Sequence, residues 1–145
     1  MDTEVKECVE ALEQYKEKSI GLTYLIIDKK VTQKFFSMNN GVSNPGAGSL
    51  VSSDLVSPDY DFYLVSQFVN RGTTVPTYYK VLHSNSKLEE GKLQELLYSQ
   101  CYNYVNWTGS IKIPAPVQYA KKMCAFVSQY INENVSELGS RLYYI

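Results

Sequence analysis

Residues that could carry out catalysis are scarce in this 145-residue chain. His83 is the single histidine, which excludes any site that needs two histidines and leaves one candidate for a Cys–His or Ser–His pair. Because His83 follows Val81 and Leu82 at the end of a predicted strand, a polar strand terminus is the favoured interpretation. The sequence has no CxxC pair, no GxGxxG and no GxxxxGK[ST], so a structural zinc site and a nucleotide cofactor are both unsupported.

The carboxylates are scattered, and Asp54, Asp59 and Asp61 lie closest together. Asp59 and Asp61 can share one face of a strand, since alternate residues point the same way. A carboxylate pair alone is weak support for magnesium, and a solvated strand end is favoured. From its residues alone, the chain offers no self-sufficient active site.

Tyrosine is the unusual entry in the composition, with 13 residues. Its apolar ring and polar tip suit half-buried interfaces and contacts to the sugars, phosphates and bases of nucleic acids. The formal net charge is −1, so the chain as a whole is not a polycation. A phosphate-binding surface would therefore have to be local and drawn from a few lysines.

The three cysteines, Cys8, Cys101 and Cys124, are far apart and fall at apolar helix positions. We interpret them as reduced core cysteines of an intracellular protein. No apolar run reaches the roughly 18 residues that a membrane span requires. No targeting segment is visible, so no membrane partner is expected.

Hydrophobic periodicity predicts an α/β arrangement of helix, strands and then two helices. Apolar residues at helical spacing predict helices over 3–17, from Leu93 to Tyr104, and from Val117 to Ile131. Strands are predicted over 22–27, which reads as buried on both faces, over 60–65 and over 77–82. Phe35-Phe36 is expected to close a further paired strand, and turn formers predict a loop over 39–49. No domain boundary is visible within residues 1–145.

The run from Tyr104 to Phe126 is the most distinctive segment. It joins a predicted short strand to the turn Ile113-Pro114-Ala115-Pro116 and then to an amphipathic helix. With further short segments in the same order and spacing, it resembles the C-terminal half of the Piwi domain of Piwi-clade Argonautes. Those segments are Tyr24-Leu25-Ile26-Ile27-Asp28-Lys29-Lys30, Asn44-Pro45-Gly46, Tyr60 to Gln67, Gly72-Thr73, Tyr104-Val105-Asn106-Trp107 and Arg141-Leu142-Tyr143-Tyr144.

The resemblance implies a ribonuclease H-like fold, of which residues 1–145 form the C-terminal and incomplete part. Such domains cleave target RNA paired to a guide, using two magnesium ions held by acidic residues. The family's Arg-Asp-Gly motif is absent here, so Mg²⁺ is expected only in a full-length parent. Lys121 occupies the position at which most relatives carry a catalytic histidine. Some insect Piwi proteins that act in the nucleus look similar to this chain at that position. An ammonium group cannot ligate Mg²⁺, so we expect impaired cleavage or a direct phosphate contact.

The resemblance also implies contacts to the guide RNA. The matching positions are Lys29, Gln67, Thr73, Tyr104, Asn106, Lys112, Gln118 and Tyr119. The carboxylate of Ile145 is expected near the guide's 5′ phosphate, as a metal or hydrogen-bond partner. The alternatives are that Tyr104 and Tyr119 are core residues and that Lys29 and Lys112 are solvated strand-edge charges.

We therefore expect a guide-binding part of a Piwi protein that acts in gene and transposon silencing directed by Piwi-interacting RNA. Its expected partners are the guide, the target RNA, the Mid domain, the rest of the Piwi domain and silencing co-factor proteins. The expected location is the nucleus, the cytoplasm or germline granules. One alternative is a part of a magnesium-dependent RNA endonuclease, and another is a module that recruits silencing proteins.

Overall fold

The computed structural model describes residues 3–13, 15, 18, 20–52 and 60–129. In chain order, its elements are helix α1 (Thr3–Glu13), strands β1 (Thr23–Asp28), β2 (Leu50–Ser52), β3 (Asp61–Leu64) and β4 (Thr77–Ser84), and helices α2 (Glu90–Gln100) and α3 (Ala115–Gln129). The strands pair antiparallel in the order β1-β4-β3-β2. No helix among these residues is both long and apolar enough to span a bilayer.

The core lies on one face of the two inner strands. Phe62 of β3 and Tyr79 of β4 are cross-strand partners, and their rings stack at 5.0 Å with an interplanar angle of 7°. Both are fully buried, and Leu97 and Tyr98 of α2 pack against them. Aromatic pairs of this kind add about 0.5–1.5 kcal/mol beyond the burial of their area. The sheet and α2 are therefore held together by aromatic contacts.

Strands β3 and β4 confirm the two predictions made for residues 60–65 and 77–82, with β4 continuing to Ser84. Helix α3 begins at Ala115, directly after Pro114, and Pro116 lies in its first turn. Proline is tolerated there because the first N–H groups of a helix have no partner within the helix. The predicted helix end at Ile131 lies outside the described residues.

Strand β1 forms as predicted, but it is not buried on both faces. It lies at one end of the strand order, and Ile26 on the face opposite the core is 47% exposed. A continuous apolar run indicates that side chains avoid water but does not specify which protein surface covers them. Here the described residues cover only the face that carries Leu25 and Ile27.

The prediction of a paired strand at Phe35-Phe36 is also wrong. Residues 31–36 are irregular, and the nearest pairing is an isolated bridge between Ser37 and Ser43. The Phe35 ring instead packs edge-on against Tyr63, with centroids 5.3 Å apart. The apolar character of the segment is thus satisfied by a side-chain contact across the sheet face. The short strand β2 was not predicted, because three residues carry too little pattern.

Two helices are shorter than their periodicity predicts. Helix α1 ends at Glu13, and the N–H of Tyr15 donates to the Leu12 carbonyl three residues earlier. Helix α2 ends at Gln100, after which three successive N–H groups also bond to carbonyls three residues back. These tighter turns end the α-helical rows before Tyr104. The short strand predicted at the start of the Tyr104 segment is absent, and turns take its place.

The cysteines differ in environment, which corrects the prediction of three core thiols. Cys101 is fully buried, Cys8 is half-buried and Cys124 is exposed, and all three are free thiols. Cys124 lies on the solvent side of α3, so its apolar character alone did not indicate burial.

Candidate nucleic-acid interface

The first feature of the site is a contact between two distant lysines. Lys112, in the loop before α3, donates a hydrogen bond from its ammonium group to the main-chain carbonyl oxygen of Lys29 at 2.7 Å. Lys29 directly follows β1. Burial lowers the pKa of Lys112, and the positive charge of Lys29 lowers it further, while Asp28 acts in the opposite direction. The loop and the end of β1 are thereby joined.

Buried hydroxyl groups hold the backbone at Lys112. Thr77 and Ser66 both donate to the Lys112 carbonyl oxygen, at 2.8 and 3.1 Å. The side-chain amide of Gln67 donates to the carbonyl of Ser110 at 2.6 Å, and the Ser110 hydroxyl donates to the carbonyl of Ser66 at 2.6 Å. Four bonds therefore fix the loop to the ends of β3 and β4. A lysine on such a segment is positioned by the fold and not by its own side chain alone.

Next to this loop is a cavity of about 200 Å³. Its charged lining consists of Asp28, Lys29, Lys30 and Lys121, and its apolar lining consists of Ile27, Ile113 and Val117. Contact with the Lys121 side chain lowers the pKa of Lys29, the Lys121 charge adds to this, and burial contributes least. Three lysines and one aspartate make the cavity electropositive.

A second cluster surrounds Tyr104. Its ring lies 5.3 Å from that of Tyr119, and the Tyr119 hydroxyl accepts a hydrogen bond from the Val105 N–H at 3.0 Å. The Lys122 ammonium lies 5.1 Å from the centre of the Tyr104 ring, a cation–π geometry. Contact with Lys122 lowers the pKa of Tyr104; burial opposes this, and Asn106 and Gln118 assist it. The cluster thus contains two phenols, two amides and an ammonium group.

Helix α3 connects the two clusters. Lys121 lines the cavity, whereas Gln118 and Lys122, one turn apart, contact Tyr104. The first two turns of one helix therefore carry cationic and amide groups toward both clusters. Such groups neutralise phosphate and fix the register of a nucleic-acid strand without reading its bases.

Comparison with known proteins assigns the chain to a family. Residues 1–132 match the Piwi domain. The chain belongs to the Piwi domain family.

Several of the proteins that it is similar to carry Piwi names. It is 40% identical over 133 residues to Piwi-like protein 1 of Gallus gallus, covering 90% of this chain and 15% of that protein. It is 37% identical over 148 residues to protein piwi of Drosophila melanogaster, covering 98% and 17% respectively. The chain thus spans less than a fifth of the length of these relatives.

Solved structures of Piwi and Argonaute proteins are similar in fold to this Piwi domain. The crystal structure of Drosophila Piwi superposes with a TM-score of 0.76 and 38% identity, covering 86% of this chain and 18% of that one. Kluyveromyces polysporus Argonaute with a guide RNA gives 0.73 at 24% identity, over 84% of this chain and 17% of that one. At that identity, the second match supports the fold alone. The predicted ribonuclease H-like α/β fold is confirmed.

Most predicted contact residues of the Piwi domain lie in the two clusters. Lys29, Lys112 and Lys121 surround or adjoin the cavity, and Tyr104, Asn106, Gln118 and Tyr119 form the second cluster. Gln67 lies beneath the loop, where its amide donates to Ser110. Ile145 lies outside the described residues.

Thr73 lies apart from both clusters, in a loop organised by one amide. Asn44 donates to the carbonyls of Gly72 at 2.8 Å and Val69 at 3.2 Å, and its oxygen accepts from the Thr74 N–H at 3.0 Å. The structure therefore gives Thr73 a place in a braced loop, while its contact with a guide stays a prediction.

Sequence reasoning missed Lys122 and the hydroxyls of Ser66 and Thr77. The position of Lys122, four residues after Gln118, could have indicated a shared helix face. The hydroxyls had no such signal, because their partner is a carbonyl at least 35 residues away.

The structure also shows the surroundings of two further residues that the sequence singled out, Asp61 and His83. Asp61 is 3% exposed and accepts a hydrogen bond from the Tyr78 hydroxyl, so its interpretation as a solvated strand end is wrong. Asp54 and Asp59 lie outside the described residues. His83 is half-buried and lies opposite Tyr24 as the penultimate residue of β4, which agrees with the prediction of a polar residue at a strand end.

The residues that the structure describes do not fit a magnesium centre. Nowhere in the described ranges do three His, Cys, Asp or Glu side chains come together as a metal-ligand group. At the cavity, Asp28 is the one carboxylate in the lining, and its oxygen already accepts a hydrogen bond from the Lys30 N–H at 2.8 Å. Mg²⁺ prefers several oxygen ligands and no neighbouring cations.

Proposed function

We propose that this Piwi domain segment forms one wall of a guide-RNA channel and supports silencing directed by Piwi-interacting RNA. The observation that carries the proposal is the convergence of Lys29, Lys112 and Lys121 on one surface, next to the amide and phenol groups around Tyr104. The family assignment and the Piwi names of the relatives support it.

The chemistry favours binding to the RNA backbone. Lysines offer three donors each and neutralise phosphate, whereas Gln118 and Asn106 offer amides that bond to sugar or phosphate oxygens. A guide-binding protein must accept many sequences, so contacts that ignore the bases suit the task. Tyrosine rings add stacking surface of the kind that single-stranded RNA uses.

The test is RNA affinity in the full-length protein. We expect the pair Lys29→Gln and Gln118→Ala to weaken binding of a guide-length RNA and to reduce its salt dependence. Lys92→Gln is the matched control, because Lys92 lies on α2 and pairs with Glu95 at 2.9 Å, away from the site. Loading equal to that of the wild type in the double variant would favour a module that recruits silencing co-factor proteins instead.

Cleavage of target RNA is the second function to be tested. We infer that Lys121 impairs it, because the cavity carries three lysines and a single aspartate, which suits phosphate better than Mg²⁺. Target cleavage by the full-length protein in Mg²⁺ should therefore be weak and should rise in Lys121→His. Vigorous cleavage by the wild type would refute the impairment and favour a slicing endonuclease.

The finer assignment to the nuclear insect type is also a proposal. It rests on Lys121, because the 37% identity to Drosophila protein piwi is no higher than the 40% identity to Piwi-like protein 1 of Gallus gallus. Imaging of the tagged protein in germ cells tests it, and we expect nuclear signal. Signal confined to cytoplasmic germline granules would contradict the nuclear type.

A further inference from the structure

The cavity beside α3 brings together three ammonium groups, from Lys29, Lys30 and Lys121, and a single carboxylate, that of Asp28. Lys29 and Lys121 both line it, and within the described residues no carboxylate pairs with either ammonium group. Lys112, the next cation, donates to a carbonyl and brings further positive charge. Two adjacent ammonium groups repel each other, and the repulsion grows where apolar walls reduce the local dielectric. An arrangement of this kind is relieved by an anion between the two groups.

The shape of the cavity fits a small anionic group. Its volume of about 200 Å³ equals that of several water molecules, at about 30 Å³ each. Ile27, Ile113 and Val117 form the apolar part, which limits the water that competes for the ammonium groups. The backbone on both sides is fixed, on one side by β1 and on the other by the loop bonded through Lys112.

We propose that Lys29 and Lys121 hold one phosphodiester of a bound RNA strand between their ammonium groups, and that they do so without a divalent metal ion. This inference rests on the proposed function and deepens it by assigning a single phosphate to a single pair of lysines. The second cluster, around Tyr104 and Lys122, serves a neighbouring part of the strand. Holding a phosphate requires no covalent step, so Asp28 needs no catalytic role.

The pairing makes a quantitative prediction about salt. Each phosphate neutralised on a single strand contributes about 0.7 to the slope of log affinity against log salt, and on a duplex about 0.9. If Lys29 and Lys121 share one phosphate, the double variant Lys29→Gln/Lys121→Gln should lose about 0.7 of slope on single-stranded RNA. Two lysines on separate phosphates would lose roughly 1.4.

The experiment measures affinity of the full-length protein for a guide-length RNA across a salt series, in Mg²⁺ and in EDTA. Each single variant should weaken binding by about fivefold, the effect of one exposed ion pair. The double variant should weaken it by less than the product of the two, because one phosphate is shared. Lys121→Arg keeps the charge and should keep the affinity and slope of the wild type, and Lys92→Gln should change neither.

Measurements with the guide alone and with the guide paired to a target identify which RNA strand supplies the phosphate. Loss of slope with the guide alone assigns the phosphate to the guide, whereas loss seen only after target pairing assigns it to the target. An unchanged slope in the double variant, a loss of roughly 1.4 in that variant, or RNA binding by the wild type that requires Mg²⁺ would each overturn the shared clamp, while guide binding itself stands. Absence of RNA binding by the wild type would instead overturn the proposed function.

Discussion

The ammonium group of Lys112 reaches the carbonyl oxygen of Lys29 across 83 residues of sequence, at 2.7 Å. Because an ammonium group has three donors, one bond to the backbone leaves two for an external acceptor. The contact also fixes where the main chain turns after β1, and so places Lys29 at the cavity. Lys112 thus acts as an internal brace and is proposed to form part of a binding surface as well.

Replacing Thr77 tests how firmly the Lys112 loop is held. Thr77 is 1% exposed and donates to the Lys112 carbonyl, so Thr77→Val preserves shape but leaves that carbonyl with Ser66 alone. We expect a loss of about 1 kcal/mol in the free energy of unfolding, measured in urea. Thr77→Ser keeps the hydroxyl and should therefore keep the hydrogen bond to the Lys112 carbonyl. A valine variant as stable as the wild type would show that the hydroxyl contributes nothing.

Gly48 and Gly46 form a matched pair in the loop before β2. Gly48 has φ +89°, and an added Cβ would lie 3.4 Å from the Tyr98 ring, whereas one at Gly46 would meet no atom within 4 Å. Left-handed backbone costs a residue with a side chain about 1–2 kcal/mol. Gly48→Ala should therefore lower the free energy of unfolding by at least that amount, and Gly46→Ala should leave it within about 0.5 kcal/mol. Similar urea midpoints for both would contradict the argument.

The cysteines should react at very different rates. Burial raises the pKa of Cys101 to about 11, while Cys124 is exposed. Since the thiolate is the reactive form, we expect Cys101 in the native protein to alkylate about a hundredfold more slowly than Cys124 at pH 8. Peptide mass spectrometry after timed iodoacetamide treatment measures both rates. In denaturant the difference should vanish, and rapid labelling of native Cys101 would contradict its burial.

Tyr104 should titrate below the ordinary tyrosine pKa because the Lys122 ammonium contacts it. A lowered pKa means that the folded state favours the phenolate. Its contribution to stability is then complete above the unfolded pKa of about 10 and is lost as pH falls through the folded pKa. Lys122→Met should raise the pKa of Tyr104, as followed by the ring Cζ shift in NMR. Lys87→Met, on an exposed loop, should not.

Sequence periodicity located the secondary structure well where packing and pattern agree. Strand β3, whose four residues are all buried, and helix α3, which begins after Pro114, were both predicted. Periodicity failed where the chain leaves a regular path, as at Phe35, whose ring packs on Tyr63 without strand pairing. Hydrophobic pattern records that a side chain avoids water, not the element that shields it.

The residues of the candidate site were predicted from family resemblance and not from periodicity. Family resemblance indicated Lys29, Lys112 and Lys121, but it did not reveal the bond between Lys112 and Lys29 or the hydroxyls of Ser66 and Thr77. Those contacts join residues at least 35 positions apart, and no local spacing encodes them. The chemistry of a surface can be predicted from residue types, whereas its rigidity depends on tertiary contacts.

Asn44 uses both ends of one carboxamide to tie its own loop to the backbone at Val69, Gly72 and Thr74. These hydrogen bonds join the two loops, so neither loop can open while the bonds are intact. Their amide protons should exchange with deuterium as one cooperative unit, at a common rate in native buffer. Asn44→Ala should remove this coupling, so that the amide protons of the two loops exchange at different rates.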